Sequence, residues 1–312
     1  MRALILGAPV LQTARVVWSW LMAGNEIQEI WISHRSSPVS WRRDGWLQRV
    51  APTWSLRAAS EQYGIPIRRV PPLRRNPDVA DQGCKPSVDV VLSATFPYVV
   101  PDSMLNYYRS RACNLHPALL PRFAGPCPLV SMIVEEAMSA SGMTLHQMSS
   151  ELDAGDVIAQ ESVAWPRDEW FRTWDADLAD AGARLASKTL PEYLAGKTPA
   201  TSHTNNVEYH RQVDARHLHI TPSLTADKAR WLGRSLGQIM PLSMVVNAKQ
   251  YQVGDVTATV GKPTGHPPRI RTLSIECDVA DARLKFNRWN TIRRKWERAR
   301  ELVSLAQRPL AA

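Results

Sequence analysis

The chain lacks the residues and runs that several common kinds of site require. Its four cysteines, Cys84, Cys113, Cys127 and Cys277, form no Cys-x-x-Cys pair and no spacing typical of a metal site. No apolar run approaches the ~20 residues that a membrane-spanning helix needs. The sequence enters a predicted strand directly after Met1, which leaves no room for a secretory signal. We therefore expect free thiols, no metal and a cytoplasmic protein without a membrane partner.

A dinucleotide-binding fingerprint is also missing. The first predicted strand, residues 2–7, ends in Gly7-Ala8-Pro9 rather than in a Gly-x-Gly-x-x-Gly loop. Helical periodicity follows over residues 12–22, and a second strand is predicted over residues 29–33. This β-α-β opening predicts a parallel, Rossmann-like sheet that does not bind a dinucleotide.

The composition changes near residue 198. The part before it alternates strands and helices, and its apolar run at residues 88–93 predicts a strand buried on both faces. Beyond a polar linker, short β-type runs between residues 244 and 286 predict a small barrel or sandwich. The fold expected is an α/β domain over residues 1–197, followed by a smaller, mainly β, barrel-like domain over residues 198–312.

Positive charge is in excess and is clustered. The formal net charge is +9, and the basic residues concentrate at residues 35–49, 68–75 and 285–300. A solvated basic surface is one interpretation, and a polyanionic partner such as tRNA or a phosphorylated small molecule is the other. Residues 34–53 are basic and rich in tryptophan, so we interpret them as a surface loop that either packs on the protein or contacts a substrate.

The residues with the clearest chemical meaning lie in the middle of the chain. Asn114 and His116 are two positions apart on a predicted strand, so their side chains share a face. Pro117 cannot continue a central strand, which places both residues at its carboxyl end. Asp153 follows one helix and one strand later, about the length of a crossover to a neighbouring parallel strand. We expect its carboxylate to approach the His116 imidazole, while Cys113 points to the opposite face.

These side chains suit transfer of a one-carbon acyl group to an amine. When an amine attacks a formyl carbon, negative charge develops on the formyl oxygen, and an asparagine amide and a protonated histidine can donate hydrogen bonds to it. A carboxylate beside the histidine favours its charged form and holds its orientation. The carboxylate can also help to remove the proton that the amine loses. The chemistry requires neither a metal nor a covalent nucleophile.

Three stretches, in order, resemble the 10-formyltetrahydrofolate-dependent formyltransferases. They are Asn-Leu-His-Pro-Ala-Leu-Leu-Pro-Arg-Phe-Ala-Gly at residues 114–125, Gly-Met-Thr-Leu-His-Gln-Met at residues 142–148, and Leu-Asp-Ala-Gly-Asp-Val-Ile at residues 152–158. The resemblance implies a catalytic trio of Asn114, His116 and Asp153, and 10-formyltetrahydrofolate as the formyl donor. It implies that the donor contacts Phe96, Tyr98, Val99, Leu119, Leu120, Pro121 and Ser150, largely through backbone groups.

The sequence departs from the family in ways that bear on the acceptor. Where many members have Arg-Gly-Ala-Ala-Pro, this chain has Phe-Ala-Gly-Pro-Cys-Pro at residues 123–128. Residues 34–53 lack the Gly-Arg-Gly and Ser-Pro-Val-Lys pattern usual in methionyl-tRNA formyltransferases. We therefore favour N-formylation of a small-molecule amine, such as an amino sugar or a specialised-metabolite intermediate. Initiator tRNA is the alternative acceptor, and an inactive folate- or nucleic-acid-binding homologue is a third hypothesis. The sequence leaves a homo-oligomer open.

Overall fold

The structure is a computed structural model that describes residues 1–166, 170–203, 207–211, 213–289 and 291–310. The side chains of Val39 and of residues 291–298 lie outside this description. Part of the third basic cluster and part of the predicted linker therefore fall outside the described residues.

A seven-stranded sheet forms the first part of the chain. Its strands are β1 (Arg2–Gly7), β2 (Glu26–Ser33), β3 (Ile67–Val70), β4 (Val90–Ala94), β5 (Ala112–His116), β6 (Gly142–Gln147) and β7 (Val157–Ser162). The order across the sheet is β3-β2-β1-β4-β5-β6-β7. Strands β1 to β5 pair in parallel, which confirms the predicted Rossmann-like sheet, whereas β6 and β7 are antiparallel to their neighbours.

Helices cover both faces of this sheet. They are α1 (Leu11–Met22), α2 (Pro38–Val50), α3 (Leu56–Tyr63), α4 (Pro77–Asp81), α5 (Asp102–Tyr108), α6 (Pro128–Val134), α7 (Phe171–Arg184) and α8 (Leu190–Leu194), the last two joined by a π-helical turn, Leu185–Thr189. Ile5 of β1 lies in one apolar cluster with Trp20 of α1, and Leu4 lies in a second cluster with Met104 of α5. Successive strand residues are thus buried on opposite faces, which explains why β1 and β4 are continuous apolar runs.

A five-stranded antiparallel sheet forms the second part of the chain. Its strands are β8 (Leu242–Val246), β9 (Lys249–Gly261), β10 (Arg269–Ile270), β11 (Ser274–Asp278) and β12 (Arg283–Arg288), in the order β10-β11-β12-β9-β8. Helix α9 (Ala226–Ser235) packs against β9. The mainly β, barrel-like character predicted for this part is confirmed: the sheet is an antiparallel half-barrel. The largest apolar cluster runs from β1 to β12 without interruption, and the boundary at residues 197/198 stays a prediction.

The tryptophan-rich segment is a helix and not the loop predicted from the sequence. Residues 38–50 form α2, and Trp54 just beyond it is fully buried beneath the guanidinium of Arg15, 4.0 Å from the ring centre. Trp41 is half-buried with Arg57 4.9 Å from its ring, while Trp46 is 65% exposed. Most of this aromatic surface therefore stabilises the protein itself and does not line a substrate loop.

The last helix, α10 (Thr291–Ala306), returns to the first part of the chain. Glu301 is buried and pairs with Arg43 of α2 and Arg172 of α7. Arg308, just after α10, pairs with Asp177 of α7 at 2.6 Å. Basic residues near both ends of the sequence thus bind acidic residues within the chain. No helix among the described residues is long and apolar enough to cross a membrane.

Candidate active site

Four polar side chains lie on one face of the pair formed by β5 and β6. Asn114 lies directly opposite His146, and His116 lies opposite Thr144. Directly opposed residues of antiparallel strands share a face, as do residues two apart on one strand. His116, Thr144 and His146 are buried, whereas Asn114 is partly exposed. The predicted common face of Asn114 and His116 is therefore present, and β6 adds two side chains to it.

Asp153 reaches this face from the turn between β6 and β7. Its Oδ2 lies 3.5 Å from His116 Nδ1, and its Oδ1 lies 3.6 Å from His146 Nε2. The route predicted from the sequence is wrong, because β6 is antiparallel to β5, so the segment between His116 and Asp153 is not a crossover between parallel strands. The turn folds back tightly onto the end of β6, and a Cβ on Gly155 would overlap the carbonyl oxygen of Gln147.

A backbone carbonyl determines which nitrogen of His116 carries a proton. Nε2 lies 2.9 Å from the carbonyl oxygen of Phe123, and since a carbonyl oxygen only accepts hydrogen bonds, Nε2 must donate. The neutral ring therefore has its lone pair on Nδ1, the nitrogen that faces Asp153. Proton exchange with a bound amine, directly or through Asp153, would occur on the Nδ1 side of the ring.

His146 is a site residue that the sequence analysis did not single out. Its Nδ1 lies 2.7 Å from the carbonyl oxygen of Gln147, so Nδ1 donates and Nε2 accepts. The Asn114 atom 3.0 Å from Nε2 must then be the amide nitrogen, which leaves the other N–H of that amide available to a ligand. Burial lowers the pKa of His146 to about 4, against the opposing effect of Asp153, and nearby His116 lowers it further. A neutral His146 thus orients the Asn114 amide.

A short loop, residues 121–125, contacts both members of the His116–Asp153 pair; we name it the catalytic loop. Phe123 is buried with φ +54°, and its carbonyl accepts the His116 hydrogen bond. Gly125 donates its backbone N–H to Asp153 Oδ2 at 2.8 Å. The imidazole and the carboxylate are therefore both held by main-chain groups of one loop.

Comparison with known proteins gives a family match over the residues of this site. Residues 52–190, which include Asn114, His116, His146 and Asp153, match the family model described as formyl transferase. The chain is therefore similar to the formyl transferases over this segment. It is an enzyme of the formyl-transferring class, as predicted, and the donor that this family uses is 10-formyltetrahydrofolate.

Several relatives of this formyltransferase are methionyl-tRNA formyltransferases by name. A methionyl-tRNA formyltransferase of Listeria innocua serovar 6a is 26% identical over 227 residues, 70% of this chain and 69% of the relative. For several other methionyl-tRNA formyltransferases, the aligned segment spans only 45–62% of the relative.

Solved structures share the fold of this formyltransferase. The sugar 3N-formyl transferase WlaRD, solved in the presence of dTDP and 5-N-formyl-THF, superposes with a TM-score of 0.64 at 15% identity, over 93% of this chain and 98% of WlaRD. A 4-N formyltransferase from Francisella tularensis gives 0.61 at 16% identity, over 81% of this chain and 96% of that one. At such identities, the likeness shows the fold alone.

The residues predicted to contact the donor lie on segments that flank the trio. Phe96 and Tyr98 are half-buried with ring centres 5.4 Å apart, in the loop that follows β4, the neighbour of β5. The backbone N–H of Leu120 donates to Thr144 Oγ1 at 3.1 Å, which fixes Leu119, Leu120 and Pro121 against β6. Ser150 is exposed in the turn before Asp153. Their contacts with a donor stay predictions.

Two further expectations concern the thiol and metal chemistry of this formyltransferase. Cys113 is fully buried, and burial raises the pKa of its thiol to about 12. A thiolate is therefore strongly disfavoured there, in keeping with the predicted absence of a cysteine nucleophile. Within the described ranges, no group of three or more His, Cys, Asp or Glu residues could hold a metal ion.

Proposed function

We propose that this formyltransferase transfers the formyl group of 10-formyltetrahydrofolate to the amine of a small molecule, such as an amino sugar or a specialised-metabolite intermediate. The observation that carries the proposal is the arrangement of Asn114, His116 and Asp153 on one face of β5, with proton positions set by Phe123 and His146.

The chain's residues fit a folate next to this trio. Val99 and Leu152 lie on two of the three segments expected to hold the donor, and they are 43% and 44% exposed. Large apolar side chains left open to solvent beside a polar site suit the flat ring system of a pterin. Bound there, the folate would supply the activated formyl group, and backbone groups of residues 96–100, of residues 119–121 and of the turn before Asp153 would hold it.

Asn114, His116 and Asp153 would stabilise the negative charge on the formyl oxygen and move the proton that the amine loses. The amide N–H of Asn114 that His146 leaves available donates to the formyl oxygen as negative charge develops on it. Protonated His116 carries a second donor at Nδ1, beside the Asp153 carboxylate. As the amine forms its bond to the formyl carbon, it would lose a proton to Asp153. As the bond from that carbon to the folate nitrogen breaks, protonated His116 would supply the proton that the leaving nitrogen takes up. Burial of His116 and Asp153 keeps water away from both groups.

The charge distribution supports a small acceptor over tRNA. Arg43 lies in the segment where tRNA-formylating members usually have their basic pattern, and it is paired with buried Glu301. Arg172 shares that carboxylate, and Arg308 is paired with Asp177. These cations neutralise carboxylates of the same chain, so they contribute little to a phosphate-binding surface. The sugar acceptor stated for WlaRD, 98% of whose chain superposes on this fold, points the same way.

Initiator methionyl-tRNA is the second candidate acceptor. The net charge of +9 and the 26% identity to a methionyl-tRNA formyltransferase favour it. Exposed Arg35, Arg42 and Arg49 near α2 are free of the Glu301 cluster and could meet a phosphate backbone.

A direct competition between acceptors distinguishes the two candidates. The enzyme at low concentration receives 10-formyltetrahydrofolate with either a panel of nucleotide-linked amino sugars or initiator methionyl-tRNA, and formylated product is quantified by mass spectrometry. We expect turnover with a small amine and at least tenfold slower formylation of tRNA. Rapid formylation of tRNA would replace the small-molecule proposal. Binding of the folate without transfer to either acceptor would favour an inactive homologue.

A further inference from the structure

A segment from the second part of the chain lies across the catalytic loop. Residues 207–211, which we name the strap, run beside residues 121–125, and Ala124 forms a parallel bridge with Tyr209. Three backbone hydrogen bonds join the two segments: Glu208 N–H to Pro121 O at 2.9 Å, Ala124 N–H to Glu208 O at 3.1 Å, and His210 N–H to Ala124 O at 2.7 Å. The catalytic loop is thus held by main-chain pairing with residues far along the sequence.

Side chains reinforce this pairing at one position. The imidazole of His210 stacks on the ring of Phe123, with centres 4.3 Å apart and planes inclined by 21°. His210 Nδ1 lies 3.1 Å from Glu135 Oε1, next to α6. The ring of Phe123 is therefore fixed by a partner that is itself tied to the first part of the chain.

The stack connects directly to the His116 tautomer. Phe123 adopts φ +54°, a left-handed conformation that is unfavourable for a residue with a bulky side chain unless its surroundings hold it. That conformation aims the Phe123 carbonyl at His116 Nε2. Removing the ring that covers Phe123 frees the residue to leave this conformation and to withdraw its carbonyl.

We propose that His210 is a positioning residue, whose stack on Phe123 holds the carbonyl that keeps the proton of His116 on Nε2. The inference rests on the proposed function, because it assigns His210 to the same site. The inference also gives the second part of the chain a role in catalysis. The strap, at the start of that part, holds Phe123 and through it the orientation of His116.

Nuclear magnetic resonance of the histidine side chains tests this without knowledge of the acceptor. The protein is prepared with ring-¹⁵N histidine. The spectrum of the His116→Gln variant lacks the His116 signals and so assigns them among those of the eight histidines. Spectra are recorded at about pH 9, well above the usual histidine pKa. In the wild type, we expect His116 to show the Nε2–H tautomer. In His210→Ala, both nitrogen shifts should move toward the average of the two tautomers, whereas the control His217→Ala, at an exposed residue, should leave them unchanged.

Unchanged His116 shifts in folded His210→Ala would overturn the proposal. If circular dichroism shows that this variant does not fold, His210→Leu replaces it, because leucine keeps the bulk without the flat ring. Shifts that move toward the tautomer average would support the proposal, and unchanged shifts would overturn it. His210→Phe keeps a flat ring, loses the Glu135 pair and should retain the wild-type tautomer; loss of the tautomer there would also contradict the role of the stack.

Kinetics supply the second readout. With an accepted amine, His210→Ala should lower kcat roughly tenfold or more, because the imidazole is misplaced, with KM for the acceptor within about twofold. His210→Phe should restore most of kcat, and failure to restore it would count against the stack. If the wild type formylates no amine, the proposed function fails, whereas the tautomer comparison still decides whether His210 positions His116.

Discussion

Gly125→Ala should disable the site while leaving the fold intact. Gly125 has φ +120°, which residues with a Cβ rarely adopt, and an added Cβ would overlap the backbone carbonyl oxygen of His210, with the carbonyl carbon at 3.2 Å. Left-handed strain of this kind costs about 1–3 kcal/mol. Because the obstructing atoms belong to the main chain, the catalytic loop or the strap must shift by several tenths of an ångström or more.

The shift acts on catalysis through one hydrogen bond. Gly125 N–H donates to Asp153 Oδ2 at 2.8 Å, and a hydrogen bond to a charged group contributes about 1.5–3 kcal/mol. If the shift breaks this bond, the carboxylate is no longer held beside His116. The corresponding loss in kcat is roughly 10- to 150-fold.

The assay compares steady-state kcat and the thermal unfolding midpoint of Gly125→Ala with those of a matched control. Gly261→Ala places the same methyl group at the end of β9, where no atom of the described residues lies within 4 Å of the added atom. The control should keep wild-type kcat. Wild-type kcat in a folded Gly125→Ala variant would refute the argument that this main-chain contact positions Asp153.

Three further results are expected. Glu301→Gln removes the carboxylate, 4% exposed, that Arg43 and Arg172 share, so urea unfolding should show a loss of about 3–5 kcal/mol; the control Asp227→Asn, 94% exposed, should change stability by less than about 0.5 kcal/mol. His146 has a folded pKa of about 4, against 6.5 when unfolded. The unfolded state therefore binds the proton first, and about 3 kcal/mol of stability should be lost as the pH falls from 6.5 to 4; unfolding of His146→Leu should lack this part of the pH dependence. Gly155→Ala puts a Cβ against the Gln147 carbonyl, so kcat should fall at least tenfold through displacement of Asp153; wild-type kcat there would contradict the role given to the turn.

The sequence predicted the parallel half of the first sheet and the position of two site residues. Alternation along a strand and the stop at Pro117 sufficed to place Asn114 and His116 together at the carboxyl end of β5. The sequence did not predict the path by which the chain brings Asp153 to His116. Whether β6 pairs in parallel or antiparallel depends on the path of the whole connection after β5, which contains the seven-residue helix α6 and a 3-10 turn at Met138–Ala140. Strand spacing alone does not distinguish the two.

Two other misses have tertiary causes. His146 gains its meaning from the register that sets it opposite Asn114, and register is a property of two strands and not of one motif. Residues 38–50 were interpreted as a loop because they are polar and contain tryptophans, yet they form α2, packed against α10 and α3. Trp54 is buried in an apolar cluster with Leu11 and Ala176, with Arg15 over its ring, contacts that no local pattern predicts.

The most direct test of the account is a single-turnover measurement with 10-formyltetrahydrofolate and an accepted amine, comparing wild type with His116→Ala. Donor affinity is measured separately by calorimetry. We expect His116→Ala to bind the donor as the wild type does and to transfer the formyl group about 10²- to 10⁴-fold more slowly. Transfer at the wild-type rate by this variant, with the donor bound, would contradict the assignment of the site.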